Sequence, residues 1–262
     1  MSSNQSDGAV VTGAASGIGR AIAAGLAADG FSVVIADLDE ENGRAAAEEI
    51  AASNQNRAIF QRVDVTNRTS VSAAIDACTR QFGSIKVMVN NAGFNKPEPF
   101  LEASVGTWHK VMDVNALGVL IGIQEAAKTM IAAGTKGKII NTASIAGRTG
   151  YADFAPYCAS KFAVVALAHA GARALAGKGI TVNAFAPGVV ATPLWEQLDK
   201  DLMAMGVSSA PGEAMENFSR SILLGRVAQP SDVVGTVRFL ASPASDYMTG
   251  QVLMIDGGMI LQ

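Results

Sequence analysis

The chain has 262 residues, is 49% hydrophobic but only 6% aromatic, and carries a formal net charge of −3. That length sustains a large core without staples, and a mildly acidic chain with no basic run lacks the footprint of a nucleic-acid binder. Two cysteines, Cys78 and Cys158, are too few for a disulfide framework or a structural zinc site. His109 and His169 stand without acid or Cys partners at metal spacing, so no metal is expected.

Residues 1–8 are polar and lack an apolar leader region. The strongest apolar run, 118–123, is short and flanked by polar residues, so no membrane segment is expected and the cytoplasm is the default location. Short β-branched runs then alternate with longer helical patterns. A strand over 9–11 leads into an Ala-rich helix over 18–29 that ends at Gly30. A strand over 32–36 and a helix over 40–52 follow. Further strands are expected over 58–63, 87–90, 139–142 and 181–186, with helices over 70–82, 105–133 and 155–176 between them. Pro230 marks a break before a helix over 231–240, and 252–255 makes the last strand.

Repeated βα units predict an α/β fold, a Rossmann-type doubly wound parallel sheet with helices on both faces. No linker or composition shift divides it, so 1–262 reads as a single domain. Residues 8–190 form the dinucleotide-binding and catalytic core, 191–225 a lid that interrupts the rhythm, and 226–262 the final helix and strand. Ligands of such sheets bind beyond the carboxyl ends of the strands, where the strand order reverses.

The first such end carries Thr12-Gly13-Ala14-Ala15-Ser16-Gly17-Ile18-Gly19. Glycines permit positive φ and a close backbone approach, and the following helix turns free N–H groups toward an anion such as a pyrophosphate. A lone glycine loop equally suits a tight structural turn. Asp37 shifts that balance, because it ends the second strand 18 positions beyond Gly19, where an acid meets an adenosine ribose. Its charge repels a 2′-phosphate, and no Arg or Lys lies within the loop or directly beside Asp37, which favours NAD over NADP. Tyr157 and Lys161 are four apart on a helix and share one face. Alone, that pair is weak, since any amphipathic helix can contain one.

Together these residues resemble the short-chain dehydrogenase/reductase family over nearly the whole chain. The Thr-Gly-x-x-x-Gly-x-Gly loop is that family's dinucleotide motif, Asp64-Val65 matches its adenine-contacting pair, and Asn90-Asn91-Ala92-Gly93 its signature after the fourth strand. Asn115, Ser144, Tyr157 and Lys161 match its catalytic tetrad, and Pro187-Gly188, with Val190 and Thr192 beyond, its nicotinamide-side turn. The resemblance implies NAD contacts from Gly13, Ser16, Gly17, Ile18, Gly19, Asp37, Leu38, Asp64, Val65, Asn91, Ala92, Gly93, Tyr157, Lys161, Pro187, Gly188, Val190 and Thr192. Tyr157 would exchange a proton with the substrate oxygen. Its pKa, ordinarily near 10, is expected to fall beside the Lys161 ammonium and the nicotinamide cation. Ser144 would hydrogen-bond the reacting oxygen, Lys161 would also hold the nicotinamide ribose, and Asn115 would brace a water chain. The resemblance further implies a homotetramer.

For substrate, Ala191-Thr192-Pro193-Leu194-Trp195 and the ending Tyr247-Met248-Thr249-Gly250-Gln251 are similar to the acetoin/2,3-butanediol and sugar-alcohol branch. The chain departs from it at Ile145 and Tyr151, where butanediol-type members carry polar residues. Asn95, Tyr151, Asp153 or Trp195 would replace that polarity beside Ser144 and Ile145. Met203, Met205 and Met215 either line the pocket or pack the lid. The lid bears several acids and no recognisable Arg clamp, although Arg148 near Ser144 is positioned to hold an anion. Three readings follow: an NAD-dependent oxidoreductase of a secondary alcohol or ketone, a small diol or polyol; a 3-ketoacyl thioester reductase; and a non-catalytic dinucleotide-binding regulator.

Overall fold

The computed structural model describes residues 7–53 and 57–261. Of the polar opening 1–8, residues 1–6 lie outside the described residues, as does Gln262 of the final segment. Seven strands form one parallel sheet: β1 Gly8–Thr12, β2 Ser32–Asp37, β3 Ala58–Arg62, β4 Ile85–Asn90, β5 Gly137–Thr142, β6 Ile180–Pro187 and β7 Val252–Ile255. Their order is β3-β2-β1-β4-β5-β6-β7, so the winding reverses between β1 and β4. Every residue of β1 is buried. A strand covered on both faces has no solvent side, which is why it reads as a continuous apolar run.

Successive strand residues feed opposite layers. Val10, Val34, Met88 and Ile139 pack with α3 (Arg68–Phe82), α5 (Gly118–Ala132) and α6 (Ala155–Leu175) through Ile75, Val119 and Val164. Val11, Ile35, Val89 and Ile140 pack with α1 (Gly17–Ala28), α2 (Glu40–Ser53) and α9 (Pro230–Ala241) through Leu26, Ile50 and Val237. A buried amide ladder crosses the sheet: Asn90 Nδ2 donates to Asn141 Oδ1 at 2.8 Å, and Asn141 Nδ2 to the Asn183 carbonyl at 3.3 Å. A register slip would break it, so it fixes how the ends of β4, β5 and β6 align.

The expected elements form with shifts of one or two residues at most ends, and one departs from expectation. The single helix over 105–133 is instead α4 (Val105–Met112), a π-helical turn Asp113–Leu117, and α5. Gly118 N donates to Asp113 O, five residues back. One extra residue shifts the helical phase by about 100°, but the run 116–123 is apolar throughout, so the sequence hides it; such turns favour functional sites. Pro230 itself opens α9, one residue ahead of the expected start, since the first turn does not need its N–H. Residues 191–225 hold α7 (Pro193–Ala204) and α8 (Glu213–Ser219). No helix among the described residues is long and apolar enough to cross a membrane.

Candidate active site

The loop between β1 and α1 is held by main-chain bonds. Gly13 N donates to Ala36 O at 2.8 Å, and Ala15 N to Asp37 Oδ2 at 2.9 Å. Gly13 and Gly17 take positive φ of 64° and 54°. A Cβ on Gly19 would sit 2.0 Å from Gly13 O and 2.6 Å from Asn91 Nδ2, so only glycine fits. Thr12 Oγ1 receives the N–H groups of Asn91 and Ala92 at 3.0 and 3.1 Å, and Asn91 Nδ2 donates to the carbonyls of Thr12 and Gly13. No side chain caps the amino end of α1, and its first N–H groups supply partial positive charge.

These residues line a cleft of about 550 Å³. Gly13, Ser16, Gly17, Ile18, Gly19, Asp37, Leu38, Asp64, Val65, Asn91, Ala92, Gly93, Tyr157, Lys161, Pro187, Gly188, Val190 and Thr192 all border it. An elongated cleft with a helix amino end, a glycine cradle and an acid beyond β2 fits a dinucleotide. Strand register adds what the sequence could not show: Arg62 of β3 stands across from Asp37. Arg62 does not border the cleft.

At the far end of the cleft, α6 presents Tyr157 and Lys161, and Ser144 follows β5. Lys161 is 3% exposed; its Nζ donates to Thr142 O at 2.8 Å and lies 5.5 Å from the centre of the Tyr157 ring. Burial lowers the Lys161 pKa to about 8. The Tyr157 phenol moves the opposite way to the expected depression. Desolvation raises it to about 12, against the pull of the Ser144 hydroxyl and with a smaller push from Cys158. Among the protein's own groups, burial outweighs the Ser144 hydrogen bond, and the same burial lowers the Lys161 pKa.

Asn115 does not border either cavity; it works from behind. Its π-helical turn points the amide at the loop after β4, where Oδ1 accepts from Phe94 N at 2.7 Å and Nδ2 donates to Phe94 O at 2.8 Å. Nδ2 also donates to Ser160 Oγ at 3.0 Å, and that hydroxyl donates to Tyr157 O at 2.7 Å. One fully buried side chain thus ties the post-β4 loop to the turn of α6 that carries Tyr157.

A second cavity of about 80 Å³ opens beside Ser144 and Tyr157 and is bordered by Asn95, Ile145, Tyr151 and Trp195, the residues expected there. Sequence reasoning missed Phe218 of α8, which also borders it. Its ring meets Trp195, Tyr151 and Phe154 at centroid distances of 5.6, 5.9 and 6.0 Å. No motif marks Phe218; an aromatic in a short lid helix was the only available signal. Asp153, Met203, Met205, Met215 and Arg148 border neither cavity. The Asp153 carbonyl instead accepts from Glu98 N.

Over residues 13–260 the chain matches the family model described as Enoyl-(Acyl carrier protein) reductase. It is 45% identical over 255 residues to the L-2,3-butanediol dehydrogenase of Corynebacterium glutamicum, covering 96% of this chain and 98% of that protein. It is 40% identical over 252 residues to an (S)-acetoin-forming diacetyl reductase of Staphylococcus epidermidis, with the same coverage of 96% and 98%. Among solved structures, a short-chain type dehydrogenase/reductase from Mycobacterium marinum superposes with a TM-score of 0.88 at 34% identity, over 98% of this chain and 96% of that one.

Proposed function

The chain belongs to the short-chain dehydrogenase/reductase family of oxidoreductases, and we propose that it is an NAD-dependent dehydrogenase interconverting a small vicinal diol or polyol and the matching ketone at a secondary carbon. The observation that carries this reading is the cavity of about 80 Å³ beside Ser144 and Tyr157. At roughly 10–15 Å³ per water-sized group, it takes on the order of five to eight such groups. The relatives' names give 2,3-butanediol, diacetyl and acetoin, all four-carbon compounds. The carboxylate of Asp37 supports NAD, since it accepts ribose hydroxyls and repels a 2′-phosphate.

Bound NAD supplies the hydride acceptor for oxidation, and NADH the donor for reduction. Ser144 Oγ accepts from Ala146 N at 3.1 Å, which leaves its own hydrogen for the substrate oxygen. Tyr157, protonated at neutral pH on its own surroundings, gives its phenolic proton to a carbonyl oxygen in reduction; for oxidation it must first release that proton to solvent, and the phenolate then takes the alcohol proton. Lys161 offers ammonium hydrogens toward the cofactor end, and Asn115 positions Tyr157 from behind.

We read the chain as one domain with a core over 8–190, a lid over 191–225 and a closing segment over 226–262. We further propose a cytoplasmic homotetramer, its apolar contacts drawn from exposed Phe100, Leu101, Val105 and Trp108 near α4 and Phe162 on α6; light scattering should then give a mass near four chains. The decisive test is a panel of 2,3-butanediol, acetoin, diacetyl, sorbitol, a 3-hydroxyacyl thioester and a hydroxy acid with both cofactors. Best turnover of the small diol pair with NAD is expected. Strongest activity on the thioester, or equal kcat/KM with NADP, overturns the assignment, and no turnover at all would favour a regulator.

A further inference from the structure

The loop after β4 carries a polar group with nothing to bind. Asn95 is 7% exposed, its Oδ1 is buried, and its amide makes no hydrogen bond to any described residue. Buried amides are nearly always paired, so an unpaired one calls for an explanation. Among the described residues, Thr181, Asp199 and Ser208 also hold a buried unpaired oxygen, but only Asn95 borders the cavity shared with Ser144 and Tyr157. The rest of that cavity is chiefly apolar, including Ile145 directly after Ser144.

Asn95 is also unusually well held. The residue before it, Phe94, has both backbone groups clamped by Asn115, and Lys110 Nζ lies 4.3 Å from the centre of the Phe94 ring. Further along, Glu98 N donates to Asp153 O at 3.0 Å. A backbone anchored on both sides of Asn95 presents its unpaired amide at a fixed place beside the reacting groups, preorganised rather than spare.

We propose that Asn95 is the partner of the second substrate oxygen, on the carbon next to the reacting one, and that it makes the enzyme selective for vicinally dioxygenated substrates. The inference rests on the substrate class proposed above. An amide both donates and accepts, so one residue serves a second hydroxyl or a second carbonyl, and hence both sides of the reaction. A mono-oxygenated substrate leaves that amide buried and unmatched, which is how a polar site rejects an analogue lacking the group. Asn115 then has a second consequence, positioning Asn95 as well as Tyr157.

The test compares kcat/KM for acetoin with 2-butanone in reduction, and for 2,3-butanediol with 2-butanol in oxidation, at saturating NAD(H). The wild type should favour the dioxygenated member by more than about a hundredfold. Asn95→Leu, which keeps the bulk and removes the polarity, should lower that ratio at least tenfold, with the loss falling on the dioxygenated member. Cofactor affinity checks that the variant folds; should it not, Asn95→Ala gives the same reading without added bulk. Equal losses on both members would mark Asn95 as structural and overturn the proposal. So would a ratio that collapses in Tyr151→Phe but survives in Asn95→Leu. A wild type without vicinal preference would instead refute the proposed substrate class, whereas a preference insensitive to Asn95 refutes only this role.

Discussion

The two ends of the cleft are built on different principles. Around Gly13 to Gly19 the walls are main chain, fixed by bonds to Ala36, Asp37 and Asn91 and, at Gly13 and Gly19, by contacts too close for a Cβ. Around Trp195 the walls are side chains, with the Phe218 ring against three other aromatics and Leu198 and Leu202 of α7 in the same cluster. At its glycines a main-chain cradle admits no side chain. An aromatic cluster tolerates changes of volume at graded cost. The cofactor end should therefore fail abruptly under substitution, and the substrate end by degrees.

The sharpest break falls where the ends meet. Tyr157→Phe removes the proton-carrying oxygen and should cut kcat by roughly 10²–10⁴-fold while NAD affinity stays within a small factor. Titration of cofactor binding alongside steady-state rates separates the two, and a variant keeping most of its rate would refute the acid–base role. Gly19→Ala tests the cradle itself. With its Cβ placed 2.0 Å from Gly13 O, the loop must move, and NAD affinity should fall at least a hundredfold, about 2.7 kcal/mol. Near-normal affinity would mean the cradle adjusts as freely as the aromatic cluster.

Lys161, also at the junction, gives a pH-dependent prediction. Its pKa is lowered from 10.5 to about 8 in the folded chain, which therefore binds fewer protons than the unfolded chain between those values. Stability should accordingly rise with pH from about 8 to 10.5, and the cost of the buried ammonium is fully present below about 8. Lys161→Met should be inactive yet more stable at pH 7 by about 1–2 kcal/mol, after the lost bond to Thr142 O is counted. Urea unfolding at pH 7 and pH 10 should show the gap shrinking; a gap independent of pH would mean buried charge is not its source. The smallest effect is expected from Phe218→Ala, with KM up roughly three- to tenfold and kcat nearly kept, since packing supplies uniform binding. A kcat loss exceeding the KM change would show that the aromatic cluster aligns the reaction, not only the substrate.

The same contrast decides what could be read beforehand. Gly13, Gly17, Gly19 and Asp37 were legible because steric and charge demands dictate residue type at fixed distances along the chain, and Asn91 through the resemblance. Phe218 was not, because its contacts with Tyr151 and Phe154 depend on how α8 lies against the segment 151–154 ahead of α6, which no local pattern records. Arg62 opposite Asp37 needed strand register. The raised pKa of Tyr157 in the chain's own surroundings was not foreseen, because a sequence displays the neighbouring ammonium but not the depth at which both groups sit. Asn115 was found by resemblance, while the turn that aims it was invisible.

That turn also bears on how this chain tolerates insertions and deletions. Across Asp113–Leu117 the hydrogen bond spans five residues where an α-helix spans four. Deleting any one residue there would restore an unbroken helix and improve its local regularity. At about 100° of rotation per residue, it would also swing the Asn115 amide away from Phe94 and Ser160 or turn α5 off the sheet. The number of residues between α4 and α5 is therefore more tightly constrained than most of their identities, and a one-residue deletion that looks conservative on paper would uncouple the loop after β4 from the helix that carries Tyr157.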